Sequence, residues 1–78
     1  MKRKDPMQYA RISERLRELG MSWADLEELV EAKTGIPVGY GYIKRQVKKG
    51  YSLSWKKRQA MVEILGEEVV YGKRIWFD

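Results

Sequence analysis

The 78-residue chain is 44% hydrophobic and 35% charged, carries a net charge of +5, and contains three Trp and five Tyr but no His and no Cys. That length suits one small domain with a single modest core, so no second catalytic or sensory domain is expected. The missing His and Cys remove the common zinc sites, the usual nucleophile and base pairs and every disulfide, so the expectation is no enzyme, no metal or other cofactor and no small-molecule substrate.

The N-terminal run MKRKDPMQYARIS lacks the apolar core of a signal peptide, and no stretch approaches the roughly 20 apolar residues that cross a bilayer. A cytoplasmic, nucleoid-associated protein without a membrane partner is expected. Residues 1–4 form a basic arm in which Lys2, Arg3 and Lys4 are candidates for reaching along a nucleic-acid groove.

Asp5 followed by Pro6 predicts the start of a first helix, since the carboxylate accepts a free backbone N–H where Pro has none to satisfy. Tyr9, Ile12, Leu16 and Leu19 then fall on one face, and Gly20 ends the run. A second start follows at Ser22, with Asp25 three residues on as a capping box. Leu26, Leu29 and Val30 supply its inner stripe, and Gly35 with Pro37 ends it near Thr34. Asp25, Glu27, Glu28 and Glu31 are read as a solvated acidic face.

Beyond the turn GIPVG, Tyr40, Ile43 and Val47 share the inner side of a short third helix that stops at Gly50. Gly41, Tyr42, Arg45, Lys48 and Lys49 project from its other side, with Lys44 on the flank. A fourth helix runs from the Ser54 cap to Gly66, with Trp55, Met61, Val62 and Leu65 as its inner residues. Trp23 and Trp76 suit core and interface equally. In EEVVYGKRIWFD the period changes. Val69, Val70 and Tyr71 face Arg74, Ile75, Trp76 and Phe77 across Gly72 and Lys73, which predicts a tight hairpin or one longer strand. The expected fold is therefore mainly α, a single domain over 1–78. It comprises the arm, a helical core of about four helices at 5–66, and a C-terminal hairpin or strand at 67–78.

Charge is gathered, not dispersed. Residues 35–58 hold Lys44, Arg45, Lys48, Lys49, Lys56, Lys57 and Arg58 without one acid, a net of +7, directly after a segment of net −4 at 18–34. Such a block marks an anionic partner, and its placement on and behind a short helix suggests a helix-turn-helix whose second helix enters the major groove of double-stranded DNA. Arg45 offers the fork that pairs with guanine O6 and N7, whereas Lys44, Lys48 and Lys49 suit phosphates. Tyr42 suits a sugar or a thymine methyl. Lys56 and Lys57 stand in the first turn of the fourth helix, against its dipole, where a phosphate would compensate.

The stretches LRELGMSWADLEELV, IKRQVKKG and AMVEILG together resemble the lambda repressor and Cro-like (Xre-type) helix-turn-helix domains over roughly residues 12–66. The resemblance implies a bacterial or phage transcriptional repressor or regulator that binds DNA as a dimer. Gly20, Met21, Ser22 and Leu26 match the family's entry into its second helix, and Val47 and Gly50 match the end of its recognition helix. The chain departs from the family at Trp23, where a phosphate-contacting Gln is usual, and in the longer connection from Leu29 to Ile43. A homodimer formed through Val69, Val70, Ile75, Trp76 and Phe77 is expected. The alternatives are an architectural, excisionase-like DNA-bending factor with Lys73 and Arg74 at the tip of a wing, and a protein-binding adaptor or antitoxin using the same C-terminal surface.

Overall fold

A computed structural model describes residues 7–51 and 53–72 of the chain. Among them lie five helices and no strand: α1 (Gln8–Leu19), α2 (Trp23–Thr34), α3 (Tyr42–Lys49), α4 (Trp55–Leu65) and α5 (Glu67–Tyr71). No helix among the described residues is long and apolar enough to cross a membrane.

Local chemistry sets most of the boundaries. The Ser22 hydroxyl accepts the Asp25 N–H at 3.0 Å while the Ser22 N–H donates to the Asp25 carboxylate at 3.0 Å, so the box that opens α2 is closed on both sides. Gly20, Gly35 and Gly50 end the first three helices in the left-handed conformation. At α4 the Ser54 hydroxyl accepts the Lys57 N–H at 3.4 Å, and Gly66 ends the helix. The start expected at Asp5 and Pro6 lies outside the described residues, within which α1 begins at Gln8 behind Met7.

One apolar centre unites the helices. Ile12 and Leu16 of α1, Leu26 and Val30 of α2, Ile43 and Val47 of α3, and Ala60, Met61 and Leu65 of α4 are buried together, joined by Leu53, Val69 and Val70. α3 rests on α1 and α2, α4 packs along α2, and α5 closes over α1 and α4. A Lys33–Glu63 ion pair at 3.1 Å further links α2 to α4.

Four expected core residues face solvent instead. Leu19 and Leu29 are exposed at the edges of their stripes, and Trp55 is 62% exposed. Leu53, two residues before Trp55, is buried and fills the inward position at the entry to α4. Tyr40 is likewise no part of the inner stripe of α3, because the helix begins only at Tyr42.

The C-terminal segment corrects the expected strand. Val69, Val70 and Tyr71 lie in α5, a short helix, and Val69 and Val70 are buried. Glu67 and Glu68 stand in its first turn, where negative charge meets the positive end of the helix dipole. At its other end, Gln8 of α1 donates through Nε2 to the Val70 carbonyl at 2.7 Å, and Arg11 donates through Nε to the Val69 carbonyl at 2.9 Å. Helix carbonyls that lack partners within α5 are thus satisfied by side chains of α1. Adjacent β-branched residues favour a strand only when a neighbouring strand covers them, and here a two-helix surface covers both. Val69 and Val70 therefore belong to the core and not to a dimer strand or wing. The remaining residues of that expected surface, Lys73, Arg74, Ile75, Trp76 and Phe77, lie outside the described residues, as do Lys2, Arg3 and Lys4.

Val70→Ala should accordingly cost about 2 kcal/mol, from two lost methyl groups at ~0.8 kcal/mol each plus the cavity they leave. For a domain of this size that lowers the melting temperature by about 10 °C, measurable by circular dichroism. An unchanged melting temperature would instead place Val70 on the surface.

Candidate nucleic-acid interface

The site is built around α3, and its foundation is a carboxylate on α2. Glu27 follows Trp23 by four residues and precedes Val30 by three, which puts it on the inward face of α2. It is only 4% exposed. Its Oε1 accepts the Gly41 N–H at 2.8 Å and its Oε2 accepts the Lys44 N–H at 3.2 Å. The N-cap residue of α3 is Gly41, which has no side chain to satisfy the first backbone donors, so a carboxylate from the neighbouring helix performs that task and meets the positive end of the α3 dipole. Burial of the charge is offset by these two hydrogen bonds.

Two more residues of α2 hold the connection. The Glu31 carboxylate accepts the Val38 N–H at 3.0 Å, and the Thr34 hydroxyl accepts the Ile36 N–H at 3.1 Å while donating to the Val30 carbonyl at 2.8 Å. The acidic face expected to be merely solvated is therefore divided by role. Asp25 caps α2, Glu27 caps α3 and Glu31 holds the linker, while Glu28 is exposed.

Gly41 has φ +76°, the left-handed region that side chains disfavour, and a Cβ there would lie 3.0 Å from Arg45 Nη1. The same Nη1 donates to the Tyr40 carbonyl at 3.3 Å. Arg45 thus lies back over the turn that precedes its own helix. Lys44, Arg45, Lys48 and Lys49 are all exposed, on the side of α3 away from the buried Ile43 and Val47.

Aromatic rings lie between these cations. Lys48 Nζ stands 5.8 Å from the centre of the Tyr9 ring, which is itself stacked on Trp23 at 5.3 Å between centroids. Lys57 Nζ lies 5.7 Å from the Tyr42 ring, so a side chain from the first turn of α4 reaches the first turn of α3. Lys49 Nζ lies 6.0 Å from the Tyr51 ring. Of the two lysines expected to act together on α4, only Lys57 joins the α3 face in this way. Lys56 instead lines a groove of about 290 Å³ with Lys33, Thr34, Trp55, Gln59, Ala60 and Glu63. Arg58 lies beside it, its guanidinium 6.0 Å from the Trp55 ring. Tyr42 is half-buried and packs against the core, which limits it to an edge contact with any ligand.

Among the described residues, the ion pairs join Arg15 to Glu18, Arg17 to Glu14 and Lys33 to Glu63. None of these involves Lys44, Arg45, Lys48, Lys49, Lys56, Lys57 or Arg58. Of the α2 acids, Asp25, Glu27 and Glu31 are committed to backbone N–H groups. No group of three or more Asp and Glu residues suited to a metal ion occurs among the described residues. Comparison of the chain with protein-family models, curated proteins and solved structures finds no match.

Proposed function

We propose that the chain binds double-stranded DNA through the exposed face of α3, as a small transcriptional regulator of the helix-turn-helix kind that the lambda repressor and Cro-like domains exemplify. The observation that carries this reading is the set of cations on and behind α3 without an ion-pair partner among the described residues, on a helix whose apolar side is fully used by the core. A protein that needed these charges only for solubility would gain from interleaving them with acids, and here Asp25, Glu27 and Glu31 of the preceding helix serve backbone N–H groups instead.

The eight residues of α3 rise about 12 Å, enough to follow three or four base pairs at about 3.4 Å each. Lys48 and Lys49 near its end and Lys57 across from its start are spaced to flank such a segment with phosphate contacts. Arg45, one turn into the helix, is the base-reading residue, since a guanidinium can present two donors to guanine O6 and N7. The adaptor reading requires none of these features. A wing carrying Lys73 and Arg74 would belong to the chain beyond the described residues.

Arg45→Ala should cost about 1 to 3 kcal/mol at a preferred site and flatten the preference at one base pair, whereas Lys48→Ala should weaken all duplexes alike and reduce the salt dependence by about one ion. Competition with single-base variants of a site selected from random duplexes measures both. Equal, sequence-blind losses for the two variants would contradict base reading by α3.

A further inference from the structure

We infer that Tyr40 and Arg45 form one reading unit that recognises a thymine beside a guanine, with the Tyr40 ring on the thymine methyl and the Arg45 fork on the guanine. The inference rests on the DNA-binding reading above and goes beyond it by naming a residue and the base step it selects.

Tyr40 is 87% exposed, far more than any other large apolar residue described. A tyrosine ring left in water forgoes its burial, and this one stands between Gly39 and Gly41 in the turn that delivers the chain into α3. That turn is not loosely held. The Gly41 N–H is fixed by Glu27 at 2.8 Å, the Tyr42 N–H donates to the Gly39 carbonyl at 3.0 Å, and the Tyr40 carbonyl accepts Arg45 Nη1 at 3.3 Å. An exposed aromatic residue on a fastened turn is presented at low entropic cost, which is what a contact residue requires.

The hydrogen bond from Arg45 does two things. It places the guanidinium against the backbone of Tyr40, so a groove that admits the Arg45 fork also receives the turn that carries the ring. It also uses one donor of five, leaving the Nη2 and Nε edge for the two acceptors of a guanine. Apolar contact is the only way a side chain distinguishes thymine by its methyl, and an aromatic ring beside an arginine supplies it. Gly41 is favoured here by its φ of +76°, and a Cβ in its place would meet the tip of the Arg45 side chain, which lies 3.0 Å away.

The test uses the intact protein and a duplex selected from random sequences, in which each thymine is replaced in turn by deoxyuridine, which removes only the methyl. At one thymine next to the guanine that Arg45 reads, the wild type should lose about fourfold in affinity, the equivalent of one buried methyl at ~0.8 kcal/mol. Tyr40→Ala should lose a similar factor on the thymine duplex and bind the deoxyuridine duplex equally well, and Lys48→Ala should keep the wild-type ratio. Tyr40→Phe should keep it too, since the ring and not the hydroxyl makes the contact. Thymine dependence that persists in Tyr40→Ala, wild-type binding indifferent to every thymine methyl, or a selection that yields no preferred sequence overturns the assignment while leaving DNA binding in place. Failure to bind any duplex at low salt overturns both.

Discussion

Glu27→Ala should lower the melting temperature by about 10 to 20 °C, whereas Glu28→Ala on the same helix should leave it nearly unchanged. Truncation at Glu27 strips two backbone donors of their acceptor, those of Gly41 and Lys44, which the carboxylate holds at 2.8 and 3.2 Å. Leaving a partly buried donor unsatisfied costs up to about 1 to 3 kcal/mol, and a lost cap on α3 lies in the same range, so a total of about 2 to 3 kcal/mol is expected. In a domain of this size each kcal/mol moves the melting temperature by roughly 4 to 8 °C. Glu27→Gln keeps an oxygen acceptor and gives up the charge, and should fall about midway. Exposed Glu28 has none of these duties, and a surface change of that kind stays within about 0.5 kcal/mol. The effect should extend to function, because α3 and the Tyr40 turn are both aligned by this carboxylate. Thermal unfolding of the three variants measures it, and a Glu27→Ala protein as stable as Glu28→Ala would show that α3 holds its place without the cap.

What was legible in the sequence was whatever depends on near neighbours. The Ser22 and Asp25 box and the stops at Gly20, Gly35 and Gly50 are set by residues within one turn, and all occur where the pattern puts them. Ile12, Leu16, Leu26, Val30, Ile43, Val47, Met61 and Leu65 were legible as core because helical spacing gathers them on single faces. The departures arise where a distant partner decides. Val69 and Val70 have strand-like preferences, but α1 offers them a covering surface and two side-chain donors, from Gln8 and Arg11, some 60 residues away in the chain. Trp55 has the size of a core residue, yet the inward position at the entry to α4 is taken by Leu53.

Glu27 is the most instructive case. Its spacing from Trp23 and Val30 is that of an inward position, and a carboxylate at such a position needs donors. The glycine that caps α3 has donors without a partner. Those two halves are both present in the sequence, but only the folded connection brings them together. The spacing of Tyr40 from Ile43 and Val47 suits a helix, whereas the flanking Gly39 and Gly41 favour a turn, and Tyr40 lies outside the helix.

The central claim, that the face centred on α3 engages the phosphate backbone of duplex DNA, is tested most directly by the salt dependence of binding. The cations of residues 44–58 have no ion-pair partner among the described residues, so neutralising about six phosphates should release counterions from DNA without breaking protein ion pairs. The slope of log K against log salt should then be about −5, and affinity should fall by about 10³-fold between 50 and 200 mM salt. Fluorescence anisotropy with a labelled duplex at four or five salt concentrations gives the slope in one series. A value near −5 that shrinks by about one unit in Lys48→Ala is the predicted result, and a slope near zero, or no binding at 50 mM salt, would contradict the account.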